Sequence, residues 1–180
     1  MTGTHVDLNR LVDHWRRDGE KFVPAFDPAG GGVDARVLVL LESPAHSTIQ
    51  AGTAAVASED NPNATARAFK TARIESGLAR EAYVRWNIIP WARDTAAPPT
   101  IAEIDDARAA LHDLLKALPE IRAVVPLGTV ALTGVMRYLT LHPDPVLFRT
   151  FAAPHPSPAN GHRRAERHDR MVKALRHAAR

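Results

Sequence analysis

The sequence predicts an α/β fold, a single-domain α/β/α sandwich around a central four-stranded, mainly parallel sheet. Three observations point there. Short apolar runs alternate along the chain with longer segments of helical periodicity. Several of the runs are apolar at nearly every position, the pattern of strands covered on both faces. The 180 residues carry no repeat, low-complexity segment or linker composition, so one domain spanning 1–180 is expected.

The elements follow in order. Val6, Leu8, Leu11, Val12 and Trp15 recur at helical spacing, so an N-terminal helix over about 5–18 should pack on the core. After a loop from Pro24 to Gly32, Val37-Leu38-Val39-Leu40-Leu41 reads as a buried strand, closed by Pro44. A small-residue loop from Ala45 to Pro62 leads to a helix from Asn63 to Gly77, where the glycine supplies a stop. Tyr83 to Ile89 is the second strand, ended by Pro90. Thr100 and Glu103 form a capping-box pattern for a helix to Leu118, with Ile104, Leu111, Leu114, Leu115 and Leu118 as its apolar stripe. Ile121–Leu127 and Val146–Phe151 are the third and fourth strands, followed by helices over Thr129–Leu139 and Gly161–Ala179.

Composition excludes several classes of function. An apolar fraction of 45% and a charged fraction of 24% rule out wholesale disorder. No apolar run approaches the ~18 residues that span a bilayer, and the N-terminus lacks a signal pattern, so a cytoplasmic location is expected. The absence of cysteine removes disulfides, thiol nucleophiles and cysteine-ligated clusters. Nine histidines are present, but none in a metal-binding spacing such as HExxH, so neither metal nor cofactor is expected. The basic stretch from His162 to Arg170, continuing to Arg180, reads as a polyanion-binding surface or as a solvated helix face.

Ligands of open parallel sheets bind beyond the carboxyl ends of the strands. The first strand ends on Glu42, Ser43, Pro44, Ala45 and His46. The second delivers Asn87, Pro90 and Trp91, the third Gly128, and the fourth Ala153-Pro154-His155-Pro156-Ser157-Pro158. Asn87 offers a donor and an acceptor on one amide, matching the edge of a pyrimidine such as uracil. His155 can donate to an anionic leaving group. The prolines around it fix a loop in which Ser157 and nearby amides could hold a phosphate. Taken singly, Glu42 could cap a helix, Asn87 could be a buried turn amide, and the proline-rich run could be an extended surface loop.

In that order the residues resemble the uracil-DNA glycosylase superfamily, from about Arg36 to the end. Leu41-Glu42-Ser43-Pro44-Ala45 is similar to the first motif, Trp86-Asn87-Ile88-Ile89-Pro90-Trp91 to the base-reading strand, and Val124–Gly128 to the strand and turn before the last motif. His155-Pro156-Ser157-Pro158 is identical to the second catalytic motif. The resemblance implies a monofunctional DNA glycosylase that flips its target base and hydrolyses the N-glycosidic bond. It implies base pairing by Asn87 and stabilisation of the departing base by His155. Loops carrying Pro44, His46, Ser157 and Ala159 would grip the DNA backbone, with Arg163, Arg164 and Arg167 beside phosphate.

The sequence departs from the family pattern in ways that bear on substrate. Ser43 stands where the best-known branch has its water-positioning Asp, so the carboxylate would come from Glu42 or Asp60; Asp60 could equally cap the helix starting near Asn63. The stacking Phe is missing from its usual place, with Phe69 and Trp91 as candidate replacements. Ala159 replaces the usual large wedge, and small Ser43 and Ala45 could leave room in the base pocket. Two alternatives stay open: the same fold acting on a 5-substituted uracil, deaminated purine or phage-modified base, and a non-catalytic module that binds lesion or abasic DNA. In each reading the partner is DNA, single- or double-stranded, and a monomer with no membrane association is expected.

Overall fold

The computed structural model describes residues 3–19, 21–157 and 163–180. Its elements are α1 (Gly3–Gly19), β1 (Val37–Leu41), α2 (His46–Ile49), α3 (Ala64–Ser76), β2 (Tyr83–Asn87), α4 (Ile101–Asp106), α5 (Arg108–Lys116), β3 (Ala123–Pro126), α6 (Thr129–Leu141), β4 (Arg149–Thr150) and α7 (Arg164–Ala178). The four strands form one sheet in the order β2-β1-β3-β4, and every pairing is parallel. Val37 aligns with Tyr83 and Ala123, and Leu41 with Asn87, so the strands end at one level.

Strand alternation sends side chains into two cores. Leu38, Leu40, Val84, Trp86 and Val124 pack with Leu8, Val12 and Trp15 of α1, Leu111, Leu114 and Leu115 of α5, and Val135 and Tyr138 of α6. Val37, Val39, Leu41, Val125 and Leu127 face Phe69 and Ala72 of α3 and Met171, Val172 and Leu175 of α7 on the other side. The result is the expected three-layer α/β/α arrangement.

The caps behave as their chemistry dictates. Asn63 accepts from the Ala66 amide to start α3, and Gly77 ends it at φ 77°. Thr100 and Glu103 close a capping box on α4. Three elements differ from the sequence expectation. The helix expected over Thr100–Leu118 is two helices, parted at Ala107 (φ −81°, ψ −4°), yet its apolar stripe still faces the core. One turn of helix, α2, stands in the expected loop after Ala45. The fourth strand is only two residues long, because the Val146 amide donates to the Tyr138 hydroxyl at 2.8 Å instead of joining the ladder. No helix among the described residues is long and apolar enough to cross a membrane.

Candidate active site

At the carboxyl ends of β1 and β2, on the α3/α7 side, the chain leaves a cavity of about 240 Å³. Leu41, Glu42, Ser43, Pro44 and Ala45 line it from the end of β1, Arg85 and Asn87 from β2, and His155 from the loop after β4. Pro24, Thr48, Ala57, Asn61, Asn63 and Thr65 complete the wall. Glu42 and His155 also border an adjoining groove of about 500 Å³ that runs past Gly128 at the start of α6 to Arg167 and Arg170 of α7.

Asn87 is buried, at 8% exposure, because β2 holds it in the ladder opposite Leu41. Its side-chain amide has no hydrogen-bond partner among the described residues, although a buried amide without one is costly. The amide is therefore available to a ligand in the cavity.

His155 has a defined tautomer. The Ser157 amide donates to its Nδ1 at 3.2 Å, so Nδ1 is an acceptor and the ring proton sits on Nε2. Burial, with Arg85 and Arg167 adding positive charge nearby, pulls its pKa down to about 4. His155 is thus a neutral imidazole with one N–H to donate. Arg167 fixes the loop by donating from Nη2 to the His155 carbonyl at 2.7 Å. Gly128 fixes it from the other side. It has φ 96°, and a Cβ there would lie 2.8 Å from the Cβ of His155, so the turn requires glycine on both counts.

Glu42 is half-buried, and burial raises its carboxyl pKa, partly offset by the positive charge of Arg93. It makes no ion pair among the described residues, which leaves its oxygens open to the cavity. Asp60, the other carboxylate candidate, is exposed and lies outside the cavity lining. Lys70 and Arg80 each bind it at 2.6 Å, and these hydrogen bonds lower its pKa. Its backbone amide donates to the Ser58 hydroxyl, so Ser58 closes the turn there, and the cap of α3 is Asn63 rather than Asp60.

The remaining expected site residues divide by location. Ser43 and Pro44 line the cavity. Phe69 is fully buried in the second core, edge-on to Tyr83, and cannot stack on a base. Trp91 packs against the first core beneath Lys21, whose Nζ lies 4.3 Å from its ring centre, and it also lies outside the lining. His46 is exposed on α2 beside Gln50. Ser157, Arg164 and Arg167 line a third hollow, of about 230 Å³, between α3 and α7. Arg163 precedes α7 with its guanidinium exposed, and Ala159 lies outside the described residues.

Two residues not singled out from the sequence as site residues stand out, the first of them known there only as part of the basic stretch. Arg170, one turn beyond Arg167, borders the groove. Arg85 lines the cavity itself, and its signal was legible: a lone arginine in an apolar strand, two residues before Asn87 and so on the same face.

A parallel sheet with a cavity at its carboxyl edge, held between a Glu-Ser-Pro turn, a strand-end Asn and a loop carrying His155, defines an α/β protein of three layers with a candidate site at the strand ends. The sequence profile of the uracil DNA glycosylase superfamily matches residues 28–179, and the chain belongs to that superfamily. The fold is similar to the solution NMR structure of a candidate uracil DNA glycosylase from Methanosarcina acetivorans. That likeness has a TM-score of 0.54 and 18% identity, and covers 88% of this chain and 100% of the other. No curated protein matches the chain.

Proposed function

We propose that this protein is a monofunctional DNA glycosylase that hydrolyses the N-glycosidic bond of uracil or a related base after flipping it out of DNA. The observation that carries the reading is the unpartnered amide of Asn87 beside the neutral, Nε2-protonated His155, with Glu42 in the same cavity lining. Asn87 pairs with the base edge. As the C1′–N bond breaks, its electrons pass into the base, and the Nε2–H of His155 donates to the carbonyl oxygen where negative charge collects. Water adds to the oxocarbenium-like sugar and gives its proton to Glu42. Leu41, Pro44, Pro24 and Ala57 provide apolar walls.

The test is base release from single- and double-stranded oligonucleotides, each holding one uracil, 5-hydroxymethyluracil, hypoxanthine or xanthine, followed by alkaline strand cleavage. Cleavage at one base should vanish in His155→Ala and Asn87→Ala while binding to an abasic analogue persists. A wild-type protein that binds lesion DNA but releases no base at enzyme excess would be a binding module.

A further inference from the structure

The cavity holds a cation that the mechanism above does not use. Arg85 is largely enclosed: it lines the cavity with Asn87 and His155, and its guanidinium carbon lies 5.8 Å from the centre of the Phe69 ring. Its Nη1 donates to the Ser58 carbonyl at 3.2 Å, while its Nε is buried without a partner. No carboxylate lies within ion-pair distance of it among the described residues. Glu59 and Asp27, whose charges act on it, are engaged elsewhere, and Glu42, which shares the cavity lining, does not pair with it among the described residues. Glu59 takes two bonds from Arg73 and one from Tyr83, Asp27 binds Arg80 and the Ser58 hydroxyl, and Asp60 binds Lys70 and Arg80. A guanidinium without an anion in so enclosed a place is expensive unless a ligand supplies the charge.

We propose that Arg85 is a second electrostatic catalyst of the site, one that binds the base as it departs as an anion. This rests on the glycosylase reading and extends it. Heterolysis of the C1′–N bond leaves its electron pair on the base, delocalised onto the carbonyl oxygens. Arg85 meets that charge from deeper in the pocket, two residues down β2 from Asn87, while His155 meets it from the loop. The anion then takes its proton from solvent, and water replaces the base on C1′. A fixed charge of this kind needs no reorganisation during reaction and favours the transition state over the neutral bound base. The residue remains charged at neutral pH even though burial pulls its pKa down to about 10.

Two measurements test this. In single-turnover release, Arg85→Met should slow uracil excision about 10²-fold, in the range for loss of one transition-state donor. The deficit should be smaller for 5-fluorouracil, a more acidic leaving group, and Arg85→Lys should recover part of the rate. An equal loss on both bases, accompanied by a lower Tm and weaker abasic-site binding, would make Arg85 a structural residue. Unchanged rates would also overturn the proposal.

The second measurement needs no turnover. Free 5-fluorouracil should bind the wild type more tightly as it ionises between about pH 6 and about pH 9, a window above the titration of His155 and below that of Arg85. Arg85→Met should lose that gain. An anion preference dependent on Arg85 in a protein that releases no base would keep Arg85 as the anion-binding group but overturn its catalytic role together with the glycosylase reading. Release without the preference, or without any effect of Arg85→Met on it, would do the reverse.

Discussion

Protonation of two side chains sets the operating range of the site. His155 needs its neutral form to donate from Nε2 while accepting at Nδ1, and with a pKa near 4 it keeps that form far below the ordinary histidine range. Glu42 must be ionised to take a proton, and burial moves its pKa upward from 4.5. His155 should therefore add no break near about pH 6.5, where an ordinary histidine titrates, and the rate should fall on the acid side as Glu42 protonates. An NMR pH titration of the His155 ring checks this; protonation near about pH 6.5 would contradict a neutral imidazole. Behind the site, Glu59 is fully buried and holds Arg73, Arg80 and Tyr83 together. Glu59→Ala leaves Arg73 without its carboxylate and the Tyr83 hydroxyl without its acceptor, while Arg80 keeps Asp27 and Asp60, and should cost about 3–5 kcal/mol in chemical denaturation. Sequence patterning marks Glu59 only as a charge beside Asp60, since burial of a salt-bridge network depends on partners fourteen to twenty-four residues away.

At the scale of elements, the site is three strand ends and the loops they launch. Gly128 links β3 to α6 and lets the His155 loop approach. Gly128→Ala should cost about 1–3 kcal/mol through its positive φ and the clash with His155. Its effect on base release should exceed what the fall in Tm accounts for, and activity tracking Tm alone would show that the loop position is immaterial. Strand ends were legible in the sequence because apolar runs stop at Pro44, Asn87 and Gly128, and topology brings such stops to one edge. The short β4 was not legible, because Tyr138, on another helix, takes the amide that would have extended it. Phe69 shows the same limit: nothing local separates an aromatic that stacks on a base from one enclosed between helix and sheet.

Over the whole molecule, charge is distributed toward one helix. α7 buries Met171, Val172 and Leu175 against the sheet and α3, and directs Arg164 and Arg170 outward beside the cavities. If this face follows the DNA backbone, Arg164→Ala and Arg170→Ala should each weaken binding to all sequences alike and lower the salt slope by about one. Binding that ignores salt would remove α7 from the interface. The sequence indicated the basic helix, but not which arginines border the groove. Arg167 is partly committed to the His155 carbonyl, and Arg170 borders the groove one turn further along α7. The three-layer architecture itself was the most legible feature, since it depends on periodicity summed over many residues rather than on any one.

The most direct measurement is single-turnover release of free uracil by the wild type, Glu42→Gln and Asp60→Asn. The wild type should release the base, Glu42→Gln should fall about 10²–10⁴-fold, and Asp60→Asn should stay within a few-fold. No release by the wild type at enzyme excess, or a loss confined to Asp60→Asn, would contradict the assignment of this cavity as a glycosidic active site.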